Sequence, residues 1–266
     1  MGIITLDVYD LSLAAILILL LAGLSLAMQL GLARSILVSA SRTVAQLMLI
    51  GIILKALFEN GHFVWVLLLA VCMLLIAGRE VMARQSRRFS GVWGFGIGTT
   101  AMFLSSFTVT LLALIVIVNA DPWYAPQYAI PLLGMVFGNT MNGIALGLDK
   151  LSQQAWQQRR IIEARLALGQ SWQLAISDIR RDSVRTGLIP IINAMAAAGI
   201  VSLPGMMTGQ ILAGVDPIEA VKYQILIMFM IAAGTGFGTI AAILLGARRL
   251  FDERERLRLD RLSGLS

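Results

Sequence analysis

The sequence predicts an all-α, polytopic integral membrane protein, and three observations carry that reading. Of its 266 residues, 58% are hydrophobic and only 14% are charged. A soluble chain spends about a quarter of its residues on charge to coat its surface. The apolar residues fall in runs of about 20, the length that crosses a hydrocarbon core. Finally, nearly all the basic residues sit on alternate connections between those runs. A single transmembrane domain, 1–266, is expected, with a mean hydropathy of +0.83.

About seven spans follow in order: 11–32, 36–58 (carrying Arg42 and Gln46), 62–83, 92–118, 125–148, a short sixth at 187–203, and a last one from Pro217 to about Gly246. The last has a well-marked start. Asp216 offers an N-cap acid, Pro217 suits the first helical position, and Glu219 stands in the first turn. The leader carries Asp7 and Asp10 and no Lys or Arg, which argues against a cleaved signal peptide.

Charge sets the orientation. With the N-terminus outside and the C-terminus inside, all of the 21 Lys and Arg residues except Lys55 and Lys222 lie on the inner side. That is the positive-inside signature of a cytoplasmic (inner) membrane protein. Trp65, Trp93, Trp123, Tyr124 and Tyr223 fall near the expected interfaces. The net charge of +6 therefore reports topology and contact with anionic headgroups. A nucleic-acid groove would need basic side chains interleaved with stacking aromatics. The tail, 247–266, mixes Arg248 to Arg261 with Asp252, Glu253 and Glu255, and is expected to prolong the seventh helix into the cytoplasm.

One connection is long. Residues 149–186 carry a helical pattern from Gln153 to Leu168, ended by Gly169, which suits a left-handed stop. Ser171 can cap a second helix with Trp172, Ala175, Ile176 and Ile179 on one face and Asp178, Arg181 and Asp182 opposite. Such a hairpin either docks into a groove on a soluble partner or lies on lipid headgroups.

Polar groups at membrane depth are functional candidates by default. Asn139 and Asn142 share a helix face, Asn193 opens span six, and Gln46 stands one turn after Arg42. These amides either line a path or bond between helices; Arg42 is either a pathway residue or an anchor that snorkels inward. Every Asp and Glu lies at a span end or in a loop, which counts against proton-coupled transport. The segment 204–215, with Pro204, Gly205, Met206, Met207 and Gln210, cannot continue span six yet stays apolar. Non-helical backbone there would be tolerated only if buried or lining a cavity, so it is expected to form an outer gate or substrate contact, or else a plain external loop.

Other chemistry lacks its residues. His62 and Cys72 are the sole histidine and cysteine, which leaves no His/Cys metal site, and no metal ligand set can be assigned. Thioether sulfur suits Cu(I) better than iron, so Met206 and Met207 are not read as an iron site. No Gly-x-x-x-x-Gly-Lys-Ser/Thr run occurs, so nothing here cradles ATP phosphates, and energy for any transport would come from a partner chain that holds ATP and Mg, from an ion gradient, or from nowhere. The glycine runs 94–98 and 234–238 lie inside spans, where small residues four apart permit close helix packing.

Two resemblances add to this reading. Glu163-Ala164-Arg165, followed by Gly169 and Ile179, resembles the EAA-loop of ABC-transporter membrane subunits; the Leu-Pro that closes the importer version is absent. The run Ser202-Leu203-Pro204-Gly205-Met206-Met207-Thr208-Gly209-Gln210, with Arg42, Gln46, Gly138-Asn139, Arg181-Asp182-Ser183 and Pro190, resembles the FetB-like permease family. The resemblance implies a non-enzymatic permease subunit, working as a homodimer with two copies of a cytoplasmic ABC ATPase and exporting iron or another metal. Its plant relatives, linked to aluminium tolerance, leave a nucleotide sugar open as substrate. A channel or gradient-driven carrier without an ATPase remains the alternative from the residues alone.

Overall fold

The computed structural model describes residues 7–264; the first six residues of the leader and the last two of the tail lie outside that range. Among the described residues the protein is all-α apart from two three-residue strands. In chain order come α1 (Val8–Ala27), α2 (Ala33–Asn60), α3 (Phe63–Ala83), β1 (Arg87–Phe89) and α4 (Val92–Met102). A π-helical stretch (Phe103–Phe107), α5 (Thr108–Leu112) and a second π-helical stretch (Ala113–Val118) prolong α4. Then follow α6 (Pro126–Gln157), α7 (Arg159–Ala167), α8 (Trp172–Ala175), α9 (Ser177–Ala197), α10 (Gly205–Leu212), α11 (Pro217–Arg249) and β2 (Leu262–Gly264).

Among the described residues, six segments are long and apolar enough to cross a membrane. They match the expected spans other than the sixth, and the fourth matches to the residue, Val92–Val118. The expected sixth, 187–203, is the C-terminal half of α9. Asp178, Arg180, Arg181, Asp182 and Arg185 occupy the other half, so charged and apolar halves share one helix. No helix begins at Gly187. At the start of α11, Asp216 accepts the N–H groups of Ile218 (2.9 Å) and Glu219 (3.3 Å), with Pro217 in the first turn as expected.

The centre of the bundle is α6 between α9 and α11, flanked by α3 and α4. Small residues set how closely these helices approach. A Cβ added at Gly187 would stand 2.6 Å from the Gly143 carbonyl oxygen, so α9 and α6 meet backbone to backbone. Gly238 lies against Ser105 and Thr140, Gly234 against Val136, Gly94 against the Phe89 carbonyl, and Gly98 against Val81. Both glycine runs thus serve packing, at every second glycine; Gly96 and Gly236 face open space. Outside the bundle α1 and α2 form a hairpin, which reaches the core through Leu54 and Leu57 and leaves most of α2's apolar surface exposed.

The tail does not prolong the last helix. α11 stops at Arg249 and the chain reverses around Asp252, whose carboxylate accepts the N–H groups of Arg254 and Arg256, each at 2.9 Å. The Arg258 N–H then donates to the Leu250 carbonyl at 2.7 Å. β2 pairs antiparallel with β1, Leu262 opposite Phe89 and Arg87 opposite Gly264. The reason is burial: Phe251, Leu257, Leu259 and Leu262 pack on the core cluster, which they could not reach from a helix running straight out into water.

Candidate functional site

The basic end of the bundle carries the 149–186 segment. α6 runs past the membrane-apolar region to Gln157, and the chain bends at Gln158 (φ −98°) into α7. Asp149 anchors this region, accepting from the Ser86 N–H (2.8 Å), the Ser86 hydroxyl (2.7 Å) and the Gln153 amide (2.7 Å). α7 ends in a Schellman stop: Gln170 N–H donates to the Arg165 carbonyl, Gly169 N–H to that of Leu166, and Gly169 takes φ +84°. A residue with a Cβ would be strained there.

The second expected helix is broken. α8 is a single turn, Ile176 interrupts it at φ −115°, and α9 starts at Ser177. Ser171 does stand at the N-cap of α8, but its side chain caps nothing. The Trp172 N–H donates instead to the Glu255 carboxylate of the tail at 3.0 Å. The Trp172 ring packs on Phe251, 5.5 Å between centroids, with the Arg248 guanidinium 5.5 Å from its face.

This arrangement divides the expected coupling residues into two groups. Trp172, Ile176 and Ile179 are buried in the chain's own core, because their face turns onto α6, α11 and the tail. Glu163, Ala164, Gly169, Arg181 and Asp182 are exposed. Beside them stand apolar residues that the sequence reading passed over: Leu168 (83% exposed), Leu174 (61%) and Ile161 (52%). Their signal was available, since they interrupt the charged face of an otherwise amphipathic pattern. Arg165 ties the hairpin together through Asp178 (3.2 Å) and the Ala175 carbonyl (3.1 Å).

Between α7 and the tail lies a polar groove of about 610 Å³, bordered by Glu163, Gly169, Gln170, Arg254, Glu255 and Arg256. The backbone N–H of Arg256, with its guanidinium, holds the Asp252 carboxyl below the ordinary carboxylate range. The Arg258 guanidinium does the same for Asp260, and Asp260 in turn raises Arg258.

Deeper at the same end, α2, α3 and α6 enclose a pocket of about 570 Å³ that brings together Arg42, Gln46, Glu80 and Arg84. Arg42 meets Glu80 at 2.8 Å, bridging α2 and α3. Arg84 donates to the Asn142 side-chain oxygen, bridging α3 and α6. Asn139 has a different role from Asn142: its amide donates to the Met135 carbonyl of its own helix at 2.9 Å. Glu80 and Arg84 were missed because a charge near a span end reads as an anchor, although Arg79-Glu80 interrupts an otherwise apolar run.

The opposite end holds the remaining candidates. Segment 204–215 is mostly helical where non-helical backbone was expected: Pro204 is the extended N-cap of α10, and Gly214 (φ +91°) follows its end. Met206 and Met207 are half-buried, and Asn193 is exposed on α9, away from the buried Gly187 and Ile191. The Oε1 atoms of Gln210 and Gln224 are buried without a hydrogen-bond partner. A cavity of about 490 Å³ between α9, α10 and α11 is lined by Met195, Pro204, Met207, Gln224 and Met228. Among the described residues no group of three or more His, Cys, Asp or Glu could hold a metal ion.

Sequence comparisons match this chain to known membrane proteins. A membrane protein of Synechocystis is 38% identical over 249 residues, covering 92% of this chain and 91% of its own. A protein of Escherichia coli named "probable iron export permease protein FetB" is 31% identical over 260 residues, 95% of each chain. The Arabidopsis protein ALUMINUM SENSITIVE 3 is 31% identical over 231 residues, 86% of this chain and 81% of its own. No solved structure gives a significant match. The model of the uncharacterised protein family UPF0014 matches residues 8–251, and the chain belongs to that family of membrane proteins.

Proposed function

We propose that this chain is the membrane-spanning permease subunit of an ATP-driven transporter, working as a homodimer with two copies of a separate cytoplasmic ABC ATPase. The observation that carries the reading is the α7–α8 hairpin. Its inner face is locked into the core by Trp172, Ile176 and Ile179, while Ile161, Leu168 and Leu174 stand exposed beside Glu163 and Ala164. A rigid helical knob with a small apolar patch and a charged rim suits a groove on a soluble protein.

The path would run through seven spans, with α9 as the sixth, N-terminus outside and basic end in the cytoplasm of a bacterial inner membrane. Exposed Asn193 on the free face of α9 suits a second copy across a shared path. Binding and hydrolysis of ATP on the partner would bias inward-facing against outward-facing packings through the hairpin. α10, with Met206, Met207 and Gln210, would form the outer gate. Export of iron or another metal is supported by the name of the E. coli relative.

Co-purification tests the reading. Tagged permease is expected to retain the ATPase, Leu168→Glu with Leu174→Glu to release it, and Gly169→Pro to leave ATP hydrolysis uncoupled from flux. An ATPase that never co-purifies, with hydrolysis indifferent to these changes, would favour a carrier or channel whose hairpin lies on lipid.

A further inference from the structure

We propose that the pocket between α2, α3 and α6 binds an oxyanion group of the transported solute, a phosphate or a carboxylate. Arg42 and Arg84 are its ligands, and Glu80 is the resident counter-ion that it displaces. The proposal rests on the transport reading above and names the substrate class for it.

The charge of the pocket decides the sign of its ligand. Its charged lining is two guanidinium groups and one carboxylate, and that carboxylate is already paired with Arg42 at 2.8 Å. A bare divalent cation needs several oxygen ligands, carboxylates foremost; here it would meet one engaged carboxylate and two cations. An oxyanion meets the reverse. Guanidinium groups present planar, paired donors that match phosphate and carboxylate geometry. Arg42 engages Glu80 through Nη2 while 54% of its side chain stays exposed. Arg84 is exposed and donates to a neutral amide, Asn142, which an anion readily outcompetes. The volume, about 570 Å³, falls in the range of sites for small organic ligands, ~300–1,000 Å³. It therefore admits a body larger than the anionic group alone. A metal cargo would enter as an anionic chelate.

Glu80 gives the proposal a sign that misfolding cannot imitate. An internal carboxylate competes with the solute for Arg42, so neutralising it strengthens oxyanion binding, whereas neutralising either arginine weakens it. The test is calorimetric titration of the permease alone in nanodiscs of phosphatidylcholine, with inorganic pyrophosphate, citrate, ferric citrate and ferrous chloride as probes. Pyrophosphate or one of the citrates is expected to bind. Arg42→Gln and Arg84→Gln each weaken that binding at least tenfold, and Glu80→Gln tightens it several-fold; the tighter variant is by that result folded. Absence of oxyanion binding, weaker binding in Glu80→Gln, or ferrous ion bound in a Glu80-dependent way overturns the proposal. Repeating the titration in phosphatidylglycerol discs separates a soluble oxyanion from a lipid headgroup: undiminished binding supports the solute, and its loss assigns the pocket to lipid and overturns it. The titration needs no ATPase, so it stands or falls separately from the co-purification above.

Discussion

Glu255 of the tail takes the backbone N–H of Trp172, 3.0 Å away across 83 positions of sequence. It thereby does the capping that Ser171, beside the same turn, leaves undone. A carboxylate at the start of a helical turn satisfies a donor that is otherwise orphaned. Glu255→Ala is expected to cost about 1 kcal/mol at this turn. Hydrogen exchange checks it: amides of 172–176 lose protection while those of α6 do not.

Close approach of α6, α9 and α11 predicts unequal glycines. Gly187→Leu would drive a side chain into the Gly143 carbonyl and is expected to destabilise by roughly 1–3 kcal/mol or to prevent folding. Gly236→Leu points into open space and is expected to leave the midpoint unchanged. Thermal unfolding in detergent compares them.

The tail is expected to come loose in acid. Asp252 and Asp260 are both held below the ordinary carboxylate range by their arginine partners. A depressed folded-state pKa adds stability that is complete above the unfolded aspartate value of about 3.9 and is lost as pH falls through the lowered values. Limited proteolysis between Phe251 and Leu262 is therefore expected to be flat from pH 7 to 5 and to rise below pH 4. Asp252→Asn is expected to flatten that rise.

The proposed orientation is checked by cysteine labelling in a Cys72→Ser background. Glu59→Cys is expected to react with an impermeant thiol reagent from outside, and Arg88→Cys only after the membrane is opened. Equal reactivity of the two would reverse or break the topology.

Much of the fold was legible because lipid imposes a simple rule on sequence. Long apolar runs located six helices, and Asp216-Pro217 located the start of α11 through a local signal. Gly169 was readable for the same reason, since a left-handed stop depends on one residue. What escaped was decided by contacts between distant parts of the chain. The spacing of Trp172, Ile176 and Ile179 says that a face is buried, not that it is buried against α6, α11 and the tail. The tail looked like a solvated helix because alternating charge hides the few apolar residues, Phe251 and Leu257 among them, that pull it back. Glu80 needed Arg42, which lies 38 positions away.

The continuity of α9 has a mechanical consequence. Its 21 residues join the hairpin end to the segment before α10 without a break. A helix of that length is about 30 Å long, so a tilt of roughly 5° about its midpoint moves each end by about 1 Å. Gly187 against Gly143 places a fulcrum near the middle, and Pro190, one turn further along, removes a backbone hydrogen bond and lets the far arm flex. α9 therefore joins the hairpin at one end to the methionine-lined cavity at the other through two arms of equal length.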